Sequence, residues 1–281
     1  MEELVLNNGI KMPNLGLGTF RLTPEQAYNS VLVALTNGYK MIDTANIYGN
    51  EKAVGRAIKD SGVKREDIFV STKIWASEYK NDLAVQNTLD RLGLDYVDLL
   101  FVHRPTPKWR YTYKQVLKAY ENGQTKSIGV SNFEGKYMDA LLKEFDVLPQ
   151  VNQVECHPFF PQEELRKIID AKDIKLMSWA PLCGKGRTQM LLNSIQIQQL
   201  AKKYNKTSAQ IVTKWHLQMG FIVIPGSSSE KHIKENIDIF DFELTKEDMD
   251  YIATLNNGNR RDHQTAFSLM IEQRVKPKYE K

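Results

Sequence analysis

The chain contains little cysteine: two residues, Cys156 and Cys183, in a sequence of 281. Neither belongs to a CxxC pair, so the sequence predicts no disulfide framework and no redox motif of that kind. No apolar run approaches the ~18 residues that a membrane helix requires. The opening segment, MEELVLNNGI, has neither a charged leader nor an apolar signal segment. We therefore expect a cytoplasmic protein without a membrane partner.

A strong excess of one charge is also missing. The formal net charge is +4 at pH 7, and lysine and glutamate are interspersed without long basic blocks. This balance weakly favours small anionic ligands and argues against a nucleic-acid partner. Linkers and low-complexity tracts are absent from the sequence, and 42% of the residues are hydrophobic. We therefore expect one large domain that spans residues 1–281.

The sequence does contain a regular alternation of short apolar runs with longer amphipathic stretches. The runs number eight: LGLGTF (15–20), YKMID (39–43), IFVSTK (68–73), VDLLFVH (97–103), KSIGVS (126–131), VNQVECH (151–157), IKLMSWA (174–180) and FIVIP (221–225). Eight strand–helix units without a break in composition predict a single (β/α)8 TIM barrel in the α/β class. Before them, LVLNNGIKM predicts a β-hairpin that turns at Asn8-Gly9. The helices around 193–219 and a C-terminal tail after Asn256 are additions to the eightfold pattern.

Helix start and stop signals lie between the apolar runs. Thr23, Pro24 and Gln26 predict an N-cap, a proline in the first turn and a capping box, and Gly38 marks the end of that helix. Similar signals predict further helices over 50–62, over 77–93 and from 207 onward. A doubly wound dinucleotide-binding fold is the rival architecture. Its fingerprint needs a third glycine, which the only short GxG run, at 16–18, lacks.

Four residues at or near the ends of three successive runs carry candidate catalytic chemistry: Asp43, Tyr48, Lys73 and His103. In a barrel of this kind the active site lies at the C-terminal ends of the strands. A phenol needs help to release its proton near neutral pH, because its unperturbed pKa is about 10. An ammonium stabilises the phenolate, a carboxylate holds the ammonium, and an imidazole orients a carbonyl oxygen. Together these groups predict a site that interconverts C=O and C–OH.

Other polar side chains and one large aromatic residue also fall at or just beyond strand ends: Ser131, Asn132, Gln153, Trp179 and Ser227. Amide side chains suit a carboxamide ligand, and a large flat side chain suits the face of a ring. The serine run that precedes EKHIKEN predicts a helix N-terminus whose N–H groups bind phosphate. Taken alone, however, such a run also serves as a plain helix cap.

These segments resemble the aldo-keto reductase family, and the resemblance covers nearly all of the chain. The matching segments are GYKMIDTANIYGNEKAVG, STKIW, LLFVHRP, IGVSNF, VNQVECHP, SWAPL and KENIDIFDFELTKEDM. Several separated motifs in the right order make this resemblance more specific than any one of them. The compact loop after His103 and the modest tail are similar to the prokaryotic and protozoan branch labelled diketogluconate reductase or prostaglandin F synthase.

The resemblance implies an NADP(H)-dependent reductase of aldehydes and ketones, of the alcohol dehydrogenase (NADP+) or aldehyde reductase type. It implies that Tyr48 donates the proton and that Lys73 lowers the pKa of Tyr48. Asp43 is then the partner of Lys73, and His103 orients the substrate carbonyl. Implied cofactor contacts are Ser131, Asn132, Gln153, Trp179, Pro181, Leu182, Ser227, Ser229, His232, Glu235 and Asn236. Implied substrate contacts are Phe20, Trp75 and Arg104.

The chain departs from the family pattern at the adenosine phosphate. The family has a lysine directly after Ile-Pro and an arginine six residues later, where this chain has Gly226 and His232. Two fixed cations are missing, so we expect NADP(H) as the cofactor, with a weakened preference and appreciable activity with NAD(H). Lys231 and Lys234 lie on the same segment and could compensate in part.

Two further departures concern the substrate pocket, because Phe20 and Arg104 stand where the family usually has tryptophan. A guanidinium at a pocket mouth can bind a carboxylate in bidentate fashion. One hypothesis is therefore a preference for anionic carbonyl substrates. The other is that Arg104 faces solvent or pairs with an acidic side chain of the protein itself.

Three other functions compete with carbonyl reduction. A metal-dependent hydrolase would need clustered ligands such as a His-x-His pair, whereas the five histidines are scattered, so we expect no metal. A nicotinamide-binding redox-sensing subunit without catalysis is the second alternative, against which the intact tetrad argues. A serine hydrolase would need a GxSxG elbow, which the sequence lacks. We expect a monomer that acts on a small carbonyl compound.

Overall fold

The computed structural model of the protein describes residues 2–184 and 186–280. Two short strands come first, β1 (Glu3–Val5) and β2 (Lys11–Pro13). They pair antiparallel around a turn in which Gly9 has a φ of 83°. The predicted hairpin is therefore confirmed, and glycine suits its turn because positive φ costs glycine little. Leu6 and Met12 lie in the same buried apolar cluster as side chains inside the barrel, so the hairpin covers one end of it.

The centre of the molecule is a sheet of eight parallel strands in which neighbours in sequence are also neighbours in space. The strands are β3 (Leu17–Gly18), β4 (Met41–Asp43), β5 (Phe69–Ile74), β6 (Leu99–Val102), β7 (Ile128–Ser131), β8 (Val151–Glu155), β9 (Lys175–Trp179) and β10 (Ile222–Val223). Each overlaps one of the eight apolar runs. The (β/α)8 architecture is confirmed, and the doubly wound alternative is excluded by the strand order.

The sheet closes into a barrel because its first and last strands meet. Leu15 and Val223 form a parallel bridge across this seam. Glycines make the close approach possible: a Cβ on Gly18 would lie 2.9 Å from the carbonyl oxygen of Ile224. A Cβ on Gly226 would lie 2.8 Å from the carbonyl oxygen of Gly18. A larger residue at either glycine therefore requires the backbone of the seam to shift.

Helices surround the barrel and bury its outer face. They are α1 (Pro24–Thr36), α2 (Glu51–Asp60), α3 (Ala84–Leu92), α4 (Trp109–Glu121), α5 (Lys136–Glu144), α6 (Glu163–Asp170), α7 (Thr188–Leu192), α8 (Ile195–Tyr204), α9 (Ser208–Gln218), α10 (Glu230–Ile237), α11 (Lys246–Ala253) and α12 (Ala266–Glu272). Apolar strands with both faces covered are typical of parallel sheets. In the part of the chain that the structure describes, no helix has the length and apolar character needed to cross a membrane.

Local capping chemistry explains where several helices begin. Thr23 and Thr207 form capping boxes at the starts of α1 and α9, as their sequences predict. The third predicted helix is wrong at its start, because α3 begins only at Ala84. Before it, the Asn81 side chain accepts a hydrogen bond from the N–H of Leu83 at 3.0 Å. Local bonds of this kind compete with helix formation, and they delay the helix here.

The C-terminal tail, residues 259–280, runs back over the barrel and is anchored at both ends. Near its start, Arg260 pairs with Glu134 in the loop after β7 at 2.6 Å. Near its end, Glu280 pairs with Arg56 of α2 at 2.8 Å. The tail therefore covers strand ends from which candidate functional side chains project.

Candidate active site

Lys73 of β5 and Asp43 at the end of β4 form a buried ion pair. Lys73 Nζ lies 2.6 Å from Asp43 Oδ2 and also donates to the carbonyl oxygen of Thr44 at 2.7 Å. The other carboxylate oxygen accepts from Ser71 Oγ at 2.7 Å and from Gln153 Nε2 at 3.1 Å. Burial lowers the pKa of Lys73, and Asp43 opposes that shift. An ammonium has three donors, so one N–H of Lys73 remains for a further acceptor.

Tyr48 follows β4 in a 3-10 turn, and its ring lies between two of the other candidate groups. Its centroid is 5.3 Å from Lys73 Nζ and 5.9 Å from the centroid of His103. Burial raises the pKa of the phenol well above its usual value, Asp43 adds to the rise, and Arg104 opposes it. The phenol is therefore protonated. Since no hydrogen bond joins it to Lys73 in the described structure, a lowering of its pKa by Lys73 stays a prediction.

His103 follows β6 and is buried beside aromatic rings. Its ring meets that of Trp75 edge to face, with centroids 4.9 Å apart. Burial lowers the pKa of His103 well below its usual value, and the nearby cations Lys73 and Arg104 lower it further. The imidazole is therefore neutral and carries one N–H donor. Its Nδ1 is buried without a hydrogen-bond partner among the described residues.

The side chains of Ser131, Asn132, Gln153 and Trp179, in or directly after β7, β8 and β9, form one hydrogen-bond network. Ser131 Oγ donates to the carbonyl oxygen of Gln153 at 2.9 Å. Asn132 Nδ2 donates to the carbonyl oxygen of His103 at 3.1 Å and to Ser131 Oγ at 2.9 Å. Trp179 Nε1 donates to Asn132 Oδ1 at 2.8 Å, which orients the indole. These four side chains form one wall of the site, which we call the amide wall. Gln153 Oε1 accepts no bond from the described residues, so the amide wall offers a free hydrogen-bond acceptor.

Two backbone conformations hold this wall in place. Asn132 has a φ of 65°, a value that asparagine adopts more readily than most residues. Ala180, directly after Trp179, has a φ of 49°, which is unfavourable for alanine. The strain lies next to the half-buried indole, as is common where side chains are held for binding.

One cavity of about 960 Å³ connects these groups. Of the residues that the sequence predicts for the site, those that line it are Phe20, Asp43, Tyr48, Trp75, His103, Arg104, Ser131, Asn132, Gln153, Trp179, Pro181, Leu182, Ser227, His232, Glu235 and Asn236. Lys73 lies behind Asp43, and Ser229 lies at the start of α10, so neither lines the cavity. The cavity thus joins the tetrad, the amide wall and the serine-rich segment.

The far end of the cavity is formed by the first turns of α10. Ser229 caps the helix, and its Oγ accepts from the N–H of exposed His232 at 3.5 Å. Lys231 lies 3.7 Å from Glu235, and both residues line the cavity. Lys234 pairs with a glutamate one turn earlier and does not line the cavity. Of the two lysines that could compensate for the missing cations, Lys231 therefore lines the cavity and Lys234 does not.

Arg104 lines the cavity directly after His103, but its charge is paired within the chain. The guanidinium forms an ion pair with Asp262 and lies 3.4 Å from Glu272, both in the C-terminal tail. Nearby, Trp75 Nε1 donates to the carbonyl oxygen of Val275 in the same tail at 2.8 Å. Of the two hypotheses for Arg104, the structure favours pairing with acidic side chains of the protein.

Sequence reasoning missed several residues that line the cavity, namely Arg21, Ile47, Thr188, Gln189, Leu192, Thr207, Ser208, Ala209 and Arg261. The capping box at Thr207 marks a helix start, and helix starts suit anions, so that signal was readable. The residues of α7 follow no strand directly and carry no comparable signal. Across residues 2–184 and 186–280, no group of three or more His, Cys, Asp or Glu side chains could hold a metal ion.

Comparison with known proteins gives consistent matches. A model described as the aldo/keto reductase family matches residues 14–257. A glyoxal reductase of Bacillus subtilis is 45% identical over 264 residues, which cover 92% of this chain and 94% of that protein. An aldo-keto reductase from a Medee basin deep-sea metagenome is similar in structure, with a TM-score of 0.90, 41% identity, and coverage of 93% of this chain and 97% of that one. A Bombyx mori aldo-keto reductase solved in complex with NADP has a TM-score of 0.86 and 32% identity over 92% of this chain and 94% of its own.

Proposed function

The chain belongs to the aldo/keto reductase family, and on that premise we propose that it reduces aldehydes or ketones to alcohols with a reduced nicotinamide cofactor. One observation carries the proposal. A single cavity joins a protonated phenol and a neutral imidazole, next to a buried Lys–Asp pair, to a wall with a free amide acceptor. A binding subunit without catalysis would need only the wall, and a metal-dependent hydrolase would need a ligand cluster.

The cavity suits a nicotinamide dinucleotide at both of its ends. Gln153 Oε1 is free to accept from the N–H groups of a carboxamide, and the half-buried face of Trp179 can stack on a ring. The first turn of α10 presents backbone N–H groups and the positive end of a helix dipole to a phosphate. When bound, a reduced nicotinamide supplies a hydride to the carbonyl carbon.

The residues that we propose hold the cofactor lie at these two ends of the cavity. At the nicotinamide end they are Ser131, Asn132, Gln153 and Trp179, with Pro181 and Leu182 beside them. At the adenosine end they are Ser227, Ser229, His232, Glu235 and Asn236. Lining of the cavity supports each of these except Ser229, whose support is its capping bond to α10.

We assign proton donation to Tyr48. Burial keeps the phenol in its acid form, so a proton is present at neutral pH. As the carbonyl oxygen gains that proton, the O–H bond of Tyr48 breaks and a phenolate forms. The free N–H of Lys73 and the charge of Arg104 are the cationic groups that can stabilise this phenolate. Asp43 keeps Lys73 charged in its buried position, and general acid catalysis of this kind contributes ~100- to 10,000-fold.

His103 is proposed to orient the carbonyl oxygen as a neutral donor. Its position beside Tyr48 supports this role, because one oxygen can then accept from both groups. A protonated imidazole would instead compete with Tyr48 as the acid, and the lowered pKa of His103 argues against it. Phe20 and Trp75 flank the two groups, and we propose that they form apolar walls for the substrate.

At a finer level, we propose an NADP(H)-dependent enzyme of the alcohol dehydrogenase (NADP+) or aldehyde reductase type, with NAD(H) as a weaker second cofactor. The Bombyx mori relative was solved with NADP, which supports the first choice. The lack of a lysine at position 226 supports NAD(H) as the weaker second cofactor. We further propose that residues 1–281 act as one domain and as a monomer on a small carbonyl compound.

The substrate class is proposed from one relative and one branch. The Bacillus subtilis relative is named glyoxal reductase, so α-dicarbonyl compounds are the first class to try. The diketogluconate reductase or prostaglandin F synthase-like branch, indicated by the compact loop and short tail, stays a prediction.

A turnover screen tests the proposed function. Aldehydes, α-keto aldehydes and keto acids are mixed with the protein and NADPH or NADH, and loss of the reduced cofactor is followed by absorbance. We expect turnover of at least the aldehydes with NADPH. If NADPH binds in a fluorescence titration while no carbonyl compound is reduced, the redox-sensing alternative replaces the enzyme.

A further inference from the structure

The position directly after His103 carries a charged cluster whose two carboxylates have no role in the proposed reaction. Arg104 has a side chain 16% exposed, and two carboxylates of the C-terminal tail surround its guanidinium. Asp262 pairs with Nη1, and Oε2 of Glu272 lies 3.4 Å from Nε. One cation therefore faces two anions at the edge of the cavity.

The first carboxylate is held firmly, because the backbone around it is anchored. The N–H of Arg261 and the N–H of Asp262 donate to the two oxygens of buried Glu155 at 2.6 and 2.8 Å. Glu155 ends β8, so the barrel itself fixes the position of Asp262. The guanidinium of Arg261 also lines the cavity, but its Nη1 lies near Gly184 and it forms no ion pair with Asp262 or Glu272.

The second carboxylate is held loosely. Oε2 of Glu272 and Nε of Arg104 are both buried, yet neither has a hydrogen-bond partner among the residues described. Glu272 lies at the end of α12, and its side chain is 25% exposed. Its negative charge therefore lies beside the guanidinium, but no hydrogen bond between Oε2 and Nε fixes it there.

We propose that Arg104, Asp262 and Glu272 form a charge gate that admits uncharged carbonyl substrates and rejects carboxylated ones. This inference rests on the proposed function and names its substrate class. A substrate carboxylate near Arg104 must displace Glu272 and still face Asp262. With both acids ionised the cluster has one negative charge in excess, and a second anion in a partly desolvated site is repelled.

Two substrates of nearly equal shape test the gate: 4-carboxybenzaldehyde and its methyl ester, methyl 4-formylbenzoate. They carry the same aldehyde and differ in one charge. The ratio of kcat/KM for the acid to that for the ester is measured at about pH 8 with saturating NADPH. Burial raises the pKa of Glu272, so the alkaline condition is chosen to favour the ionised carboxylate. We expect the native protein to favour the ester.

Glu272→Gln removes the loosely held charge and keeps the side-chain size. The acid-to-ester ratio should then rise about tenfold, because the cluster becomes neutral and Nε of Arg104 can donate to the substrate carboxylate while Nη1 stays paired with Asp262. The matched control is Glu280→Gln, which removes a tail carboxylate that pairs with Arg56 instead. In this control the ratio should stay within about twofold of native.

Three outcomes overturn the gate. A native protein that favours the acid would show that Arg104 binds substrate carboxylates. An unchanged ratio in Glu272→Gln would show that its charge is irrelevant. An equal rise in both variants would show that loosening of the tail is the cause. If neither compound is reduced, the proposed function fails separately, and the same ratio is then read from the dissociation constants of both compounds by calorimetry.

Discussion

Lys73 and Lys231 belong to the two ends of one site, and their surroundings are opposite. Lys73 is fully buried and bonded at 2.6 Å to Asp43, which is itself held by bonds from β5 and β8. Lys231 has a side chain 78% exposed and lies 3.7 Å from Glu235 on one helix. The first lysine is held by the barrel, whereas the second is held by little more than its own helix.

The contrast indicates where substitutions are tolerated. Removal of one partner from a buried ion pair leaves an uncompensated charge, which typically costs ~3–5 kcal/mol. Removal of an exposed charge typically costs ~0–1 kcal/mol, because water and salt screen it. The departures that the family resemblance implies fall at Gly226 and His232 at the exposed end, and at Phe20 and Arg104 beside the tetrad. The resemblance implies none within the tetrad itself.

The largest effect is expected for Tyr48→Phe at the buried end. The substitution keeps the ring and removes the proposed proton, so kcat for a simple aldehyde should fall by ~100- to 10,000-fold. Affinity for NADPH, measured by fluorescence titration, should change little. Tyr113→Phe is a matched control, since Tyr113 is a buried phenol of α4 that donates to the carbonyl oxygen of Val147 and does not line the cavity. Near-native kcat in Tyr48→Phe would exclude Tyr48 as the donor.

Lys73→Met should give the next largest loss, about 100-fold in kcat, because the phenolate loses its nearest cation. The single variant also leaves Asp43 buried without its partner, so unfolding could mimic a catalytic defect. The double variant Lys73→Met, Asp43→Asn restores neutrality and should recover much of the free energy of unfolding, measured in urea. We expect activity to remain low in this folded double variant. Recovery of activity together with stability would show that Lys73 acts only through folding.

The buried end could be located from the sequence because barrel geometry places strand ends together. Asp43, Lys73 and His103 are the last residues of three apolar runs, so the eightfold pattern alone brings them near one another. Tyr48 is harder, since it lies in a loop, and the family resemblance supplied its role. These roles stay predictions until the variants are measured.

The partners of Arg104 could not be read from the sequence. Asp262 lies 158 positions further along the chain, in the part of the tail before α12, where no periodic pattern indicates the path. The start of α3 was missed for the opposite reason, since very local bonds at Asn81 outweigh helix propensity. A periodic pattern of apolar residues therefore predicts neither contacts between distant parts of the chain nor local hydrogen bonds that compete with a helix.

A smaller effect is expected at the exposed end, in the choice of cofactor. Lys231→Gln removes the cavity-lining lysine, and the ratio of kcat/KM for NADPH to that for NADH should fall about three- to tenfold. Lys234→Gln is the matched control, because Lys234 is on the same helix but pairs with Glu230 outside the cavity. Gly226→Lys is a poor test, since its Cβ would press on the carbonyl oxygen of Gly18. Equal changes in both variants would assign the effect to net charge rather than to Lys231.

The smallest effect is expected from pH, again at the buried end. The pKa of His103 is shifted down by burial, Lys73 and Arg104, so the imidazole stays neutral as the pH falls from about 7 to about 5.5. The pKa of Tyr48 is shifted up, so the phenol stays protonated over the same range. Neither group changes charge, and kcat/KM for a neutral aldehyde should vary by less than about twofold. The assay uses saturating NADPH, so that changes in cofactor binding at the exposed end do not affect the measured rate. Circular dichroism corrects for unfolded protein. A fall with a midpoint between about pH 6 and 7 would show that His103 gains a proton there, and that burial does not isolate this end of the site from solvent.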